Sequence, residues 1–204
     1  MNLSQYQKPR NKTILIIGAP VSGKSTISYG LSIELGINQI IDTDIIRGIK
    51  VVQEPMNKYI NTYSFKSWEL FGKKQNKKNI LLGYEKYSEQ IEKEIFGVIN
   101  INDSLGRSMI IEGVHLHPKL IEKLIKINKL QMICLSVNSK EHKRNIINRL
   151  KNSHQQPRFY FDNFKAIRGI NNFLVDCAKK YNFPIIENKN IKNTISSIIK
   201  VVNE

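Results

Sequence analysis

Apolar positions in this chain fall into short unbroken runs separated by longer segments of helical spacing. Residues 13–18 (TILIIG) are a continuous apolar, β-branched run closed by glycine, the pattern of a strand buried on both faces. A helix over 24–35 follows, with Gly36 placed to end it in a left-handed cap. Residues 39–41 give a short second strand that runs into Asp42-Thr43-Asp44. There Thr43 or Asp44 is placed to cap a helix carrying Arg47 in its first turns. Between 51 and 78 the pattern loosens around Tyr63, Phe65, Trp68 and the cluster Lys73, Lys74, Lys77 and Lys78.

One long helix is predicted next, from Ile80, Tyr84, Tyr87, Ile91 and Val98 at helical spacing. Gly106 then breaks the chain before a third buried strand, 108–112 (SMIIE), and Pro118 sits at the first-turn position of another helix. Residues 131–137 (QMICLSV) read as the fourth strand and 139–151 as a strongly charged helix. After a polar break at 152–157 a helix carries Phe164, Ile167, Leu174 and Ala178, followed by a fifth strand at 184–187 and a closing helix at 191–202. Strands alternating with helices imply an α/β fold, a five-stranded parallel sheet with helices on both faces.

Composition narrows this picture. With 204 residues, 41% of them hydrophobic, the chain suits one folded α/β domain over 1–204, with residues 1–11 expected to be flexible. No run approaches the roughly 18 apolar residues of a membrane span, and the polar N-terminus does not resemble a secretory signal. Cys134 and Cys177 lie inside apolar patterns and form no framework, as expected of a protein of the reducing cytoplasm. The formal charge is +15, from 32 basic and 17 acidic side chains, which by itself points to nucleic acid. The basic set, however, is 25 Lys and 7 Arg, and Ile and Asn are abundant too; all three common residues have AT-rich codons. The scarce arginines therefore carry more information than the lysines, since only arginine offers a planar fork for phosphate.

Residues 18–26 (GAPVSGKST) fit G-x-x-x-x-G-K-[ST] and lie between the first strand and the first helix. Gly18, Ser22 and Gly23 allow the backbone N–H groups to turn around phosphate oxygens, and the helix N-terminus adds positive potential. Lys24 is expected to bridge the β- and γ-phosphates of ATP, with Ser25 on Mg²⁺ and Thr26 completing the nucleotide contacts. A GTPase would need a base-reading Asn/Thr-Lys-x-Asp element, which Asn138-Ser139-Lys140-Glu141 only echoes. A motor ATPase is unusual in so small a chain. The remaining class is a kinase of the P-loop fold, with an arginine-bearing lid expected over 139–158.

Three further clusters fit that class. Asp44 and Arg47 follow the second strand, where an aspartate can take a proton from an attacking hydroxyl and an arginine one turn on can hold a substrate anion. Asp42 competes for the same basic role, and a capping Asp with a surface Arg is the bland alternative. Glu112 ends the third strand, where a carboxylate can organise Mg²⁺ through water. His115 and His117 follow it with no cysteine or third ligand, which favours substrate contact or packing over metal binding. Arg144 and Arg149, on the charged helix, could neutralise a transferring phosphoryl group from the lid; a solvated helix face is the alternative.

Taken together, these blocks resemble the 2-phosphoglycerate kinase family. They are the phosphate loop, 43–47 (TDIIR), 62–68 (TYSFKSW) in place of that family's Ser-Ser-Tyr-x-Ala-Trp element, Gly83-Tyr84 with Gln90, and 111–116 (IEGVHL). His142, Arg144 and Arg149, then 164–168 (FKAIR) and 184–188 (PIIEN), complete the series. The resemblance implies transfer of the ATP γ-phosphoryl group to the 3-hydroxyl of 2-phosphoglycerate. Ser64 and His115 are further candidates for substrate contact, as is Arg168, for which packing at the lid base is the alternative; Trp68 suits either the acceptor site or the core. The lysine-rich middle stretch matches only loosely.

The expected protein is thus an ATP- and Mg²⁺-dependent kinase of a small anionic hydroxyl compound. Its rivals are a kinase for a nucleic-acid hydroxyl and a non-catalytic ATP-sensing, RNA-binding module. Replacing the loop lysine, Lys24→Ala, should abolish turnover and weaken nucleotide binding, as measured by nucleotide titration beside an activity assay.

Overall fold

The computed structural model describes residues 12–125, 130–150 and 157–203. In chain order the elements are β1 (Thr13–Ile17), α1 (Lys24–Leu35), β2 (Ile40–Asp42), α2 (Thr43–Gln53), a 3-10 turn (Ser67–Leu70) and α3 (Lys77–Glu89). Then come α4 (Glu92–Ser104), β3 (Met109–Gly113), α5 (Pro118–Ile125), β4 (Leu130–Ser136) and α6 (Ser139–Leu150). The last are α7 (Pro157–Phe161), α8 (Phe164–Lys180), β5 (Ile185–Glu187) and α9 (Ile191–Asn203). No helix of the described residues is long and apolar enough to cross a membrane.

The strands form one sheet in the order β2-β3-β1-β4-β5, every pair parallel. The unbroken apolar runs are explained by this: β1 is central, and side chains on both of its faces are buried. Leu15 and Ile17 join Ile111 and Cys134 in one core, while Ile14 and Ile16 join Ile110 and Ile133 in another. The second core is closed by Ile27 and Leu31 of α1 with Ile198 and Val202 of α9. The first is closed by α3, α4, α5 and α8, through residues such as Tyr84, Ile95, Leu120 and Ile170.

Several boundaries differ from the sequence expectation: the third and fourth strands are shifted by one residue, the fifth is trimmed by one, and a short helix, α7, precedes α8. The long helix through Ile80 and Val98 is two helices, parted at Gln90 and Ile91. Ile91 leaves the helical region (φ −119°, ψ 18°) and is fully buried, so the chain changes direction there while its apolar side chain stays in the core. The second strand runs one residue further, to Asp42. The cap of α2 is Asp42 itself: its carboxylate accepts the Asp44 N–H at 2.8 Å, which frees the side chains of Thr43 and Asp44. Gly36 ends α1 in the left-handed region (φ 64°), as expected.

Two glycines set how closely elements approach. A Cβ on Gly83 would meet the Ser67–Trp68 backbone at about 2.5 Å, so α3 lies directly on the 3-10 turn. A Cβ on Gly113 would fall 1.7 Å from Thr43 Oγ1, so the end of β3 touches the start of α2 with no room for a methyl group. Gly113→Ala should therefore destabilise the fold by about 1–3 kcal/mol through overpacking, measurable as a lowered denaturant midpoint at unchanged slope.

Candidate active site

Parallel α/β sheets collect ligands at the carboxyl ends of their strands, and here β1, β2 and β3 deliver the phosphate loop, Asp42 and Glu112 to the same end. Asp42 and Glu112 stand side by side in register on β2 and β3. The loop between β1 and α1 holds two left-handed residues, Val21 (φ 61°) and Gly23 (φ 90°). A Cβ on Gly18 would crowd the Leu135 carbonyl and Ser22 Oγ at 2.7 Å, and one on Gly23 would meet Asn188 at 2.5 Å. The glycine positions of the motif are thus sterically required here.

Two cavities open on this end of the sheet. The larger, of about 540 Å³, is bounded by Gly23, Lys24, Ser25 and Thr26 on one side and by Arg144, Asn148 and Asn188 on the other. The smaller, of about 240 Å³, is bounded by Asp42, Asp44, Arg47, Ser64, Glu112 and Tyr160 among others. Val21, Lys24, Ser25 and Arg149 line both, so the two spaces share a wall made of the phosphate loop and one arginine.

The charges in the small cavity are closely matched. Asp44 is solvent-accessible, yet crowding by the walls and the neighbouring Asp42 raise its pKa, against the pull of Lys24, Arg47 and Arg149. Glu112 is only 2% exposed, and burial raises its pKa too; Lys24 and a hydrogen bond from the Ser25 hydroxyl act in the opposite sense. Lys24 is lowered, chiefly by burial, and donates to the Ala19 carbonyl at 3.0 Å. Arg47 donates one Nη to the Thr62 carbonyl at 3.0 Å and lies 5.9 Å from the Tyr87 ring, while its buried Nε has no hydrogen-bond partner. A carboxylate biased toward protonation beside an arginine with an unused donor suits an acceptor that brings both a hydroxyl and an anionic group.

Not every residue expected here lines the cleft. His115 is fully buried behind it: Thr43 Oγ1 lies 2.8 Å from its Nδ1, Tyr87 stacks on it at 4.6 Å, and burial lowers its pKa to about 3. It lies under the Asp44–Arg47 segment, out of a substrate's reach. His117 is also buried, with its Nδ1 taken by the Lys119 N–H. Arg168 lies behind the phosphate loop, bonded to Val137, His142 and Asn172. Arg144 lines the larger cavity but is ion-paired to Glu141 within its own helix. Asn138 caps α6 by accepting the Glu141 N–H, which accounts for the Asn-Ser-Lys-Glu echo. Of the expected lid, residues 151–156 lie outside the described residues, and the first turns of α6 are tied to the phosphate loop through His142 and Asn145.

An aromatic cluster borders the small cavity, and two of its members, Phe159 and Tyr160, are not singled out by the sequence. Tyr63, Phe65, Phe159 and Tyr160 form a continuous aromatic cluster, with ring centroids 4.9–5.7 Å apart, joining the stretch before the 3-10 turn to α7. Tyr160 thereby reaches the small cavity; its spacing along the chain holds no sign of this.

No family model matches the chain. It is 33% identical over 195 residues to a 2-phosphoglycerate kinase of Methanocaldococcus jannaschii, covering 94% of this chain and 63% of that protein. It is 31% identical over 206 residues to a 2-phosphoglycerate kinase of Methanococcus maripaludis, covering 97% and 66%. The chain thus spans slightly under two thirds of the length of these relatives. Among solved structures, a shikimate kinase of Acinetobacter baumannii matches with TM-score 0.55 at 10% identity, covering 95% of this chain and 93% of that one. A gluconokinase of Sinorhizobium meliloti gives 0.52 at 10% identity over the same shares. These likenesses establish the P-loop kinase fold.

The raised Asp44 carboxylate has a consequence for stability. As pH climbs from the ordinary carboxylate range, near 4, the unfolded chain loses this proton before the native one does. The native state then binds more protons, so stability falls until pH passes the raised native value. Asp44→Asn removes this penalty. In thermal melts without ligand its advantage over the wild type should open as pH rises through that window and stay constant above it.

Proposed function

From a chain that belongs to the sequence family of the 2-phosphoglycerate kinases and has the P-loop kinase fold, we propose an ATP- and Mg²⁺-dependent phosphotransferase acting on a small anionic alcohol. The acceptor that fits is 2-phosphoglycerate, with 2,3-bisphosphoglycerate as product. The observation that carries this reading is the shared wall: a nucleotide-sized cavity and a much smaller one meet at Lys24, Ser25 and Arg149. A phosphoryl group bound at that wall would face both a leaving diphosphate and an incoming hydroxyl.

In this scheme Asp44 takes the proton of the acceptor hydroxyl as its oxygen bonds to the γ-phosphorus. The bond from that phosphorus to the β–γ bridging oxygen breaks, and ADP leaves with the electron pair. Lys24 and Arg149 neutralise the charge spread over the transferring group. Arg47, with its unpartnered Nε, holds the acceptor's phosphate or carboxylate, and Ser64 lines the same space. Ser25 and the buried Glu112 bring two oxygen donors together where burial disfavours an unneutralised carboxylate, a donor set that suits a hard divalent cation. When bound there, Mg²⁺ would offset the charge of the β- and γ-phosphates.

Size supports a small acceptor over a polymer end. The space beside Asp44 and Arg47, of about 240 Å³, is less than half the size of the cavity it adjoins. It also lies below the ~300–1,000 Å³ usual for drug-sized ligands. A three-carbon phosphorylated acid suits that space better than a nucleoside terminus. The lysine-rich surface is then a solvated background.

The test is an acceptor screen with γ-labelled ATP, comparing 2-phosphoglycerate, 3-phosphoglycerate and a short 5′-hydroxyl RNA at two salt concentrations. Label should pass to 2-phosphoglycerate; transfer to RNA that weakens steeply with salt would replace this reading with the nucleic-acid one. Asp44→Ala should lose about 10²–10⁴-fold in turnover while still binding ATP, and unimpaired turnover would remove Asp44 from the mechanism.

A further inference from the structure

Four successive carbonyls of the phosphate loop each accept a hydrogen bond from a side chain. Lys24 Nζ reaches Ala19 at 3.0 Å, His142 Nε2 reaches Pro20 at 2.7 Å, Asn145 Nδ2 reaches Val21 at 3.4 Å and Asn188 Nδ2 reaches Ser22 at 2.9 Å. In a trans peptide the C=O and the following N–H point opposite ways, so a carbonyl held outward aims the next N–H inward. The Ala19 carbonyl precedes a proline and aims nothing. Of these four, Pro20 is therefore the first residue whose carbonyl orientation sets an amide, the N–H of Val21. Val21 is also a β-branched residue in the left-handed region, a conformation that needs support from its surroundings.

His142 is placed to give that support. It is fully buried, with Phe164 edge-on at 5.9 Å. Its Nδ1 faces Arg168 Nη1 at 3.2 Å, and the same Nη1 donates to the Val137 carbonyl at 2.5 Å. A guanidinium can only donate, so Nδ1 must be the lone-pair nitrogen and the ring proton must sit on Nε2, facing Pro20. Burial and Arg168 both oppose a second proton, and the pKa falls to about 4.

We propose that His142, fixed in its Nε2–H tautomer by Arg168, is a positioning residue for nucleotide: by holding the Pro20 carbonyl outward it turns the Val21 N–H toward the bound phosphates. This gives Arg168 a role two bonds removed from the ligand, and it rests on the reading of the loop as the nucleotide site. The side chains of Gln and Asn separate the two halves of the relay. A Gln amide nitrogen overlays His Nε2 and keeps the donor to Pro20. An Asn oxygen overlays Nδ1 and keeps the acceptor for Arg168 but lacks the donor.

The experiment measures ATP affinity, KM for ATP and for 2-phosphoglycerate, and ligand-free melting temperature for the wild type, His142→Asn and His142→Gln. His142→Asn should weaken ATP binding about tenfold, the effect of one lost hydrogen bond of this kind, with the acceptor KM little moved. His142→Gln should recover most of that affinity. Equal loss in both variants, better binding by Asn than by Gln, or no loss in either while the wild type binds ATP would overturn the relay alone. If His142→Asn does not fold, His142→Gln still decides, because a folded Gln variant with tenfold weaker binding contradicts the assignment. A wild type that binds no ATP overturns both the relay and the nucleotide reading.

Discussion

The contact between Gly113 and Thr43 is the constraint on which the rest of the cleft depends. With no side chain at Gly113, the first turn of α2 settles directly against the end of β3. That brings Asp42 beside Glu112 in register and sets Asp44 and Arg47 over the phosphate loop. The block 111–116 follows from the same contact. Glu112 enters the cleft, Gly113 admits Thr43, the Val114 carbonyl accepts the Tyr84 hydroxyl at 2.7 Å, and His115 bonds Thr43 from below. Each residue of that short run serves a different neighbour, and any larger residue at 113 would displace them together.

The second organising feature is electrostatic. Asp42, Asp44 and Glu112 share a small space with Lys24, Arg47 and Arg149, and burial works against the charged forms of Lys24, Asp44 and Glu112. Such a site is less stable by itself than an apolar or neutral one of the same shape. In the proposed function, ligand charges would complete it: phosphates for the cations, a metal ion for the carboxylates. The free protein is therefore expected to hold its site under mild electrostatic strain, with the sheet and two hydrophobic cores maintaining the geometry.

Much of this was legible in the sequence because the features are local. A buried strand, a glycine-rich turn and a helix N-terminus are adjacent in the chain, so the phosphate loop and its strand could be read directly. The alternation of strands and helices fixed the fold class in the same way. Asp44, Arg47 and Glu112 were legible because strand ends in parallel sheets converge. What was hidden depends on distance in the chain. Nothing near His115 says that it will be sealed under Thr43 and Tyr87, and nothing near Arg168 says that it will reach a histidine instead of a substrate. The break at Ile91 is hidden because the apolar spacing continues across it. Asp42 is hidden as the cap because the apolar run stops at Ile41, one residue before the strand does. Tyr160 lacked any local sign, since its place in the cleft is set by Tyr63 and Phe65 almost a hundred residues earlier.

The donors that hold the phosphate loop come from far along the chain: His142 lies 122 residues after Pro20, and Asn188 lies 166 after Ser22. The glycine-rich segment itself is made early. During synthesis, a loop so dependent on distant partners would leave the ribosome as an unsupported turn, long before β5 and α9 exist to brace it. Competence to grip a nucleotide would then arrive among the last events of folding. A nucleotide bound as proposed would stabilise only finished copies of the domain, acting as a selective partner of the completed fold.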